Sequence, residues 1–192
     1  MIVPMSEQID SPRPVEVAII GAGPAGSAAA IHAARAGYET VLIDSATFPR
    51  DKTCGDGLTP RAMHQLDLLG IEVNASYRNR GLKLHGFGGS VTAPWPATYP
   101  SQEGTALPRY EFDALLVEAA QAAGAQLLTG TATAPQLEDN RLVEFSVGKR
   151  RVRARWVIVA DGVRSTFGKQ LGRQWHRDEV YGIAARAYAD SP

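Results

Sequence analysis

The stretch that decides the fold of this chain is Val15-Glu-Val-Ala-Ile-Ile-Gly21-Ala-Gly-Pro-Ala-Gly26. Its first half, Val15–Ile20, is a short apolar run rich in β-branched residues, which predicts a buried strand. A helix is expected to follow from about Pro24 to Ala36, and Gly37 ends it just after its last turn. This stretch therefore predicts a strand, a tight turn and a helix.

A second apolar run, Thr40–Ile43, predicts another buried strand, and Asp44 stands at its carboxyl end. Strand, helix and strand in this order form a right-handed βαβ unit. We therefore expect an α/β fold in which helices cover the faces of a parallel sheet.

The glycines of the turn serve separate physical purposes. Gly21 permits the tight turn, Gly23 lets a pyrophosphate approach the backbone, and Gly26 lets the helix pack closely on the strand. The helix N-terminus adds free N–H groups and a partial positive charge. Asp44 can accept hydrogen bonds from both hydroxyls of a ribose and would repel a 2′-phosphate. The pattern predicts a dinucleotide site of a non-NADP type, and the alternative is a glycine-rich turn without a ligand.

The rest of the chain predicts two more helices and several strands. One helix is opened by Thr59-Pro60 and closed by Gly70, and the other covers Arg109–Ala123. The predicted strands are short antiparallel ones within Gly81–Pro100, then Gln126–Thr129, a hairpin of Leu137–Val147 and Arg150–Arg155 that turns near Gly148, a buried strand at Trp156–Ala160, and Tyr181–Ala189.

Two further motifs place charged side chains at the end of a strand or at the start of a helix. The strand before Asp161 and Gly162 delivers them to the carboxyl edge of the sheet, where open α/β folds bind ligands. The alternative for this pair is a plain Asp-Gly turn. Arg109 starts a helix, where its charge opposes the helix dipole unless an anion such as a pyrophosphate lies nearby. The alternative is a solvated arginine held by the acidic residues two and four positions later.

The composition excludes several classes of function. A formal net charge of zero, with basic residues spread along the chain, predicts no nucleic-acid partner. Val15–Gly37 superficially resembles a membrane span, but a strand, turn and helix explain its proline, histidine and glycines better. The N-terminus has no secretory pattern, and the single cysteine, Cys54, fits a cytosolic compartment. The histidines form no metal-ligand spacing, so no metal site is predicted.

Three of these motifs together resemble the FAD fingerprints of the flavin-monooxygenase-like superfamily, of the p-hydroxybenzoate hydroxylase type. They are Gly21–Gly26, the segment from Arg109 to Asp113, and Ala160-Asp161-Gly162. The loop Phe48-Pro-Arg-Asp-Lys52-Thr-Cys54-Gly55-Asp56-Gly57-Leu-Thr-Pro-Arg61 is similar to the geranylgeranyl reductase family. Together with Leu171-Gly-Arg-Gln-Trp-His-Arg-Asp-Glu-Val-Tyr-Gly182, it looks most like the actinobacterial menaquinone reductase branch.

The resemblance implies a Rossmann-like FAD/NAD(P)-binding domain and the start of an antiparallel substrate sheet. It divides the chain into a flexible leader (1–14), a first part of the FAD-binding domain (15–77), substrate-domain strands (78–103), a second FAD-binding part (104–179) and further substrate domain (180–192). Since family members are longer, we expect this chain to be an N-terminal part that is inactive alone.

The resemblance also implies which residues contact FAD. Cys54–Gly57 is expected against the isoalloxazine ring, with Cys54 either a proton donor to the alkene or a small residue packed beside the flavin. Thr133 is expected to touch the adenine through its backbone. The full set of expected cofactor-binding residues is Gly21, Gly23, Pro24, Ala25, Gly26, Asp44, Ser45, Cys54, Gly55, Asp56, Gly57, Arg109, Thr133, Asp161 and Gly162.

The implied activity is FAD-dependent reduction of an isolated double bond in a prenyl chain, either a menaquinone tail or a geranylgeranyl group. The expected partners are a prenyl lipid or quinone and a reduced nicotinamide or other electron donor. A cytoplasmic location is expected, with peripheral contact at the membrane face. Two alternatives stay open at this point: an FAD-dependent aromatic monooxygenase or halogenase, and a non-catalytic FAD-binding fragment.

Overall fold

The computed structural model describes residues 13–174 and 182–189. Most of the predicted leader and the segment 175–181 lie outside the described residues. The helices are α1 (Pro24–Arg35), α2 (Pro60–Leu68), α3 (Arg109–Ala122) and α4 (Thr166–Gln170). The strands are β1 (Val15–Ile20), β2 (Thr40–Asp44), β3 (Gly57–Leu58), β4 (Gly81–Gly86), β5 (Gly89–Pro94), β6 (Thr105–Ala106), β7 (Gln126–Thr129), β8 (Ala132–Glu138), β9 (Arg141–Val147), β10 (Arg150–Val152) and β11 (Ala154–Val159).

The chain divides into two compact units. The first consists of Met1–Arg50 and Asp113–Gly182, and the second of Asp51–Phe112 and Ile183–Pro192. The domain boundaries predicted from the sequence stay a prediction.

The first unit is built on a four-stranded parallel sheet in the order β11-β1-β2-β7. β1 and β2 lie at its centre and are almost wholly buried, as their continuous apolar runs predict. α1 connects them, and Gly37 follows its C-cap with a φ of +86°. The predicted βαβ unit and the α/β fold class are therefore confirmed.

A three-stranded antiparallel sheet in the order β10-β9-β8 forms the second layer of this unit. Apolar residues of both sheets and of α4 pack into one core. Its largest members include Phe145 and Phe167, whose rings meet edge to face with centroids 5.4 Å apart. This packing keeps the parallel strands in register behind the edge where β1 and β2 end.

The strand predicted over Leu137–Val147 was wrong as a single element. The chain turns at Asp139 and Asn140, which both have positive φ values, of 49° and 59°. Asp and Asn are the residues, after Gly, that tolerate this left-handed conformation in a two-residue hairpin turn. Glu138 therefore ends β8, and β9 begins at Arg141.

β11 was predicted to be buried and is half exposed instead. It pairs with β1 on one side and, among the described residues, has no strand on its other side. Trp156 is 64% exposed and Ile158 is 40% exposed. An apolar run identifies a strand but not its position in a sheet, so its edge location could not be derived from composition.

The second unit contains α2, the two-stranded sheet β3-β6 and the hairpin β4-β5. Thr59 caps α2 and accepts a hydrogen bond from the Ala62 N–H, as predicted from the Thr-Pro pair. The indole N–H of Trp95 donates to Asn79 Oδ1 at 2.7 Å, so this tryptophan anchors the loop after β5. The antiparallel hairpin within Gly81–Pro100 is confirmed.

The strand predicted over Tyr181–Ala189 is not formed. Residues 182–189 have no regular secondary structure, and Tyr181 lies outside the described residues. Arg186 and Tyr188 instead make side-chain contacts within the second unit. Across the described residues, no helix is both long enough and apolar enough to span a membrane.

The packing of the first unit generates a stability prediction. We expect Phe145→Ala to lower the free energy of unfolding by about 3–5 kcal/mol, because removing a large aromatic ring from a core leaves a cavity. Urea unfolding followed by circular dichroism measures the change. Leu137→Ala, at a half-exposed position on β8, is the control and should cost less than about 1 kcal/mol. If both variants lost the same free energy of unfolding, the result would contradict the placement of Phe145 in the core.

Candidate functional site

Three predicted site segments meet at the carboxyl edge of the parallel sheet. The Gly21 N–H donates to Ile43 O at 2.7 Å, and the Ala160 N–H donates to Ile20 O at 2.7 Å. Asp44 is the last residue of β2, and Asp161 lies two residues beyond the end of β11. The structure thus brings together the glycine turn and both acidic residues, as the topology of parallel strands requires.

The glycine turn is too crowded for side chains at two positions. Gly21 has a φ of +100°, and a Cβ there would overlap the Ala160 carbonyl and the Asp161 Cα. A Cβ on Gly26 would overlap the carbonyl oxygen of Gly21. Glycine is therefore required at both positions by the packing of the backbone.

The N-terminus of α1 presents unsatisfied donors at this edge. Its first intrahelical bond runs from the Ser27 N–H to Gly23 O at 2.9 Å, so the N–H groups of Ala25 and Gly26 precede the helical ladder. Gly23 offers no side-chain cap, and the first turn contains no acidic residue. Donors and dipole therefore both favour an anion at this position.

Asp44 ties the glycine turn to the end of β2. Its Oδ2 accepts from the Ala22 N–H at 2.8 Å, and its Oδ1 accepts from the Ala46 N–H at 2.9 Å. Each carboxylate oxygen keeps a further lone pair for another donor. Ser45, the next residue, is exposed. Asp44 is thus oriented by the protein and can still accept hydrogen bonds from ligand hydroxyls.

Asp161 carries an orphaned polar atom. Its Oδ2 accepts from the Phe167 N–H at 3.0 Å, but its buried Oδ1 has no hydrogen-bond partner among the described residues. Asp161, Gly162 and Arg173 are among the residues that line a cleft of about 570 Å³. A buried carboxylate oxygen without a donor is costly, so this atom is suited to accept a hydrogen bond from a ligand in the cleft.

A buried ion pair supports the first unit, and the sequence did not reveal it. Arg50 Nη1 lies 2.9 Å from Asp113 Oδ2, and the Asp113 side chain is fully buried. Asp113, which the sequence suggested as a possible partner of Arg109, forms an ion pair with Arg50. The two residues are far apart in sequence, and only the fold brings them together. Losing either partner of such a pair is costly because a buried charge remains.

Thr133 lies on β8, where it pairs with Ser146 and is exposed. The antiparallel sheet, rather than the loop after β7, therefore positions its backbone. Its expected contact with adenine stays a prediction.

The predicted loop Cys54–Gly57 lies in the second unit and has an unusual thiol. Burial raises the pKa of Cys54, but hydrogen bonds from the Asp56 backbone and the Arg109 side chain, with the Arg109 charge, lower it below its ordinary value. Arg109 also lies over the Phe112 ring, 5.3 Å from its centroid. Arg109 therefore contacts the loop, as well as beginning α3.

The sequence predicted a role for Asp56 but not the contacts of its carboxylate. Asp56 was expected to contact the cofactor, but its side chain is buried against Arg186 and Tyr188. No sequence signal links these residues, since about 130 positions separate them. The side chain is thus bound within the second unit, and the expected contact of Asp56 with the cofactor stays a prediction.

Comparisons with known proteins agree with this geometry. The sequence model of one family, described as an FAD binding domain, matches residues 14–186. This chain belongs to that family. The FAD of this family fits the observed site, since the uncapped N-terminus of α1 suits a pyrophosphate and the buried Oδ1 of Asp161 lacks a donor among the described residues. The predicted cofactor, FAD, is therefore confirmed at the level of the family.

The FAD-binding chain also has named relatives. The menaquinone reductase of Mycobacterium tuberculosis is 47% identical over 188 residues, which cover 92% of this chain and 46% of that protein. A geranylgeranyl bacteriochlorophyll reductase-like protein from Thermoplasma acidophilum has a TM-score of 0.69 at 26% identity, covering 84% of this chain and 43% of that one. The myxobacterial chondrochloren halogenase has a TM-score of 0.71 at 22% identity, covering 81% and 39%. The chain thus spans about half the length of the curated relatives it matches.

The crowded turn generates the next prediction. Gly21→Ala should lower the free energy of unfolding by about 2 kcal/mol more than Gly37→Ala, in the range expected for severe backbone clashes. Both positions have positive φ, so both variants carry the same kind of backbone strain, but Gly37 has open space around it. Urea unfolding of the two variants measures the difference. Equal destabilisation would show that the overlap with Ala160 is relieved at no cost.

Proposed function

We propose that this chain binds FAD and takes part in the reduction of an isolated double bond in a prenyl chain. The observation that carries the proposal is the combination of a dinucleotide-type turn with 47% identity to a menaquinone reductase. The halogenase likeness, at 22% identity, supports the shared fold alone.

In the first unit, the residues proposed to bind FAD surround the glycine turn. The N–H groups of Gly23, Ala25 and Gly26 would hold the pyrophosphate, and Pro24, which has no N–H, would pack beside it. Asp44 would accept from the ribose hydroxyls, with Ser45 beside it. Asp161 and Gly162 would contact the cofactor through the unpartnered Oδ1 and the following turn.

In the second unit, the loop Cys54–Gly57 is proposed to contact the flavin ring. Its glycines, at positions 55 and 57, have open space where a Cβ would lie, so they present backbone without side chains. Arg109 adds a positive charge beside this loop. Cys54 is proposed as a small residue packed beside the ring, and the proton donor to the alkene stays unassigned.

When bound in its reduced form, FAD supplies a hydride to one carbon of the double bond, while a proton is added to the other. The residues of this chain bind and orient the cofactor and limit access of water to it. A menaquinone tail is the favoured substrate because the menaquinone reductase is the more similar of the prenyl-chain relatives. A reduced nicotinamide or other electron donor, and peripheral contact with the cytoplasmic face of the membrane, are proposed with it.

The cofactor proposal predicts that the 192-residue chain retains FAD after free flavin is removed. Asp44→Ala should weaken that retention by roughly tenfold or more, because a charged acceptor is lost together with the anchor of the turn. Visible absorbance after gel filtration measures the flavin. Asp139→Asn, in the exposed turn before β9, is the matched control and should bind like the parent. An Asp44 variant that is folded and fully loaded would contradict the assigned role.

The substrate proposal can be tested with a chimera. Residues 14–186 of this chain replace the matching part of the Mycobacterium tuberculosis menaquinone reductase, and the tail of added menaquinone is analysed by mass spectrometry. We expect a product heavier by two hydrogen atoms, and no such product from the chimera with Asp44→Ala. A chimera that binds FAD but leaves the tail unsaturated would contradict prenyl reduction. Rapid oxidation of a nicotinamide donor stimulated by a phenol would favour a hydroxylase instead.

A further inference from the structure

The backbone of Asp56 is held in a strained conformation inside the second unit. Its φ of 56° is in the left-handed region, and the residue is 7% exposed. Its carbonyl accepts from the Leu107 N–H at 3.0 Å, and its carboxylate accepts from the Tyr188 hydroxyl at 2.6 Å. Residue 56 is therefore fixed at both its backbone and its side chain.

Arg186 makes the most extensive contact with the same loop. Its Nη1 lies 3.3 Å from both carboxylate oxygens of Asp56 and donates to Lys52 O at 3.0 Å. Its Nη2 donates to Asp51 Oδ1. The guanidinium also lies over the Tyr188 ring, 4.5 Å from its centroid. One side chain thus binds three points of the segment 51–56, which a planar guanidinium can do and an ammonium cannot.

We propose that Arg186 and Tyr188 are positioning residues that clamp the loop 51–57 through Asp56 and so direct the Asp56 N–H at the Cys54 sulfur. The proposal rests on the proposed function in one respect, because a loop held in one conformation matters for the reaction only through its contact with the flavin. The clamp itself is a property of this chain and can be measured without flavin.

The charged groups near Cys54 come from two elements. Asp56, on the same loop, carries a carboxylate that opposes ionisation of the thiol, while its N–H favours it. Arg109, at the start of α3, favours ionisation by a hydrogen bond and by its charge. Arg186 and Tyr188 contact Asp56 from the segment 182–189. The hydrogen bond to Asp56 raises the pKa of Tyr188, so its hydroxyl stays a donor at neutral pH.

The clamp therefore affects the Cys54 thiol by fixing the direction of the Asp56 N–H. Without it, Asp56 can leave the left-handed conformation, and its N–H no longer faces the sulfur. The thiolate loses a donor, so the pKa of Cys54 should rise toward its ordinary value. Only the thiolate reacts with iodoacetamide, so the pH profile of alkylation reports the orientation of the loop.

The decisive variant is Arg186→Lys in the 192-residue chain, because it keeps the charge and removes the bridging geometry. We expect its alkylation profile to shift to higher pH, with the rate at pH 7 falling roughly threefold or more, because a smaller fraction of the thiol is ionised. Tyr188→Phe removes one hydrogen bond to Asp56 without a change of charge and should shift the profile in the same direction by less.

Arg80→Lys is the matched control. Arg80 also donates two hydrogen bonds to a carboxylate, that of Glu103, in an exposed pair of the same unit. Its profile should match that of the parent chain. If Arg186→Lys and Tyr188→Phe both match the parent too, the clamp does not orient the loop and the proposal is overturned. Should Arg186→Lys fail to fold, as judged by circular dichroism, Tyr188→Phe decides.

Flavin retention separates this proposal from the proposed function. If the parent chain binds no FAD but the Arg186 and Tyr188 variants show the predicted shifts in alkylation, the result supports the clamp and contradicts the cofactor role. A parent chain that retains FAD while its variants show unshifted alkylation profiles supports the cofactor role and overturns the clamp.

Discussion

The close approach of the Gly21 backbone to Ala160 and Asp161 is the constraint on which the first unit depends. It brings the ends of β1 and β11 so near each other that no Cβ fits at position 21. With the turn pressed against the sheet edge, Asp44 can reach the Ala22 N–H. The start of α1, the carboxylate of Asp44 and the orphaned oxygen of Asp161 then share one edge, which is the arrangement that an anionic dinucleotide requires.

In the second unit, little regular secondary structure holds the loop 51–56 in place. Residues 51–56 have no strand or helix of their own, and β3 has only two residues. Side chains distant in sequence provide the order instead, with Arg186 binding the loop at three points. Multiple contacts from one guanidinium limit the conformational freedom that such a loop would otherwise keep. The loop that resembles a flavin contact is thus held in part by ion pairs with Arg186.

Particular elements show where prediction from the sequence succeeded and where it failed. β1, α1 and β2 were predicted nearly to the residue, because proline, glycine and β-branched runs act locally. The turn at Asp139 and Asn140 was missed because no glycine marked it. The exposure of β11 was missed because an edge strand and a central strand can have the same composition. The segment 182–189 has strand-like residues, yet tertiary ion pairs hold it without a ladder.

The sequence by itself determined the βαβ unit, the glycine turn with Asp44 at the end of the next strand, and membership in an FAD-binding family. These features depend on short-range patterns, in which periodicity and backbone freedom are readable from neighbouring residues. Only the tertiary structure decided that Arg50 pairs with Asp113, that one oxygen of Asp161 lacks a donor, and that Arg186 and Tyr188 bind Asp56. Such contacts join residues distant in sequence, and the energy of a buried charge depends on its partners in space.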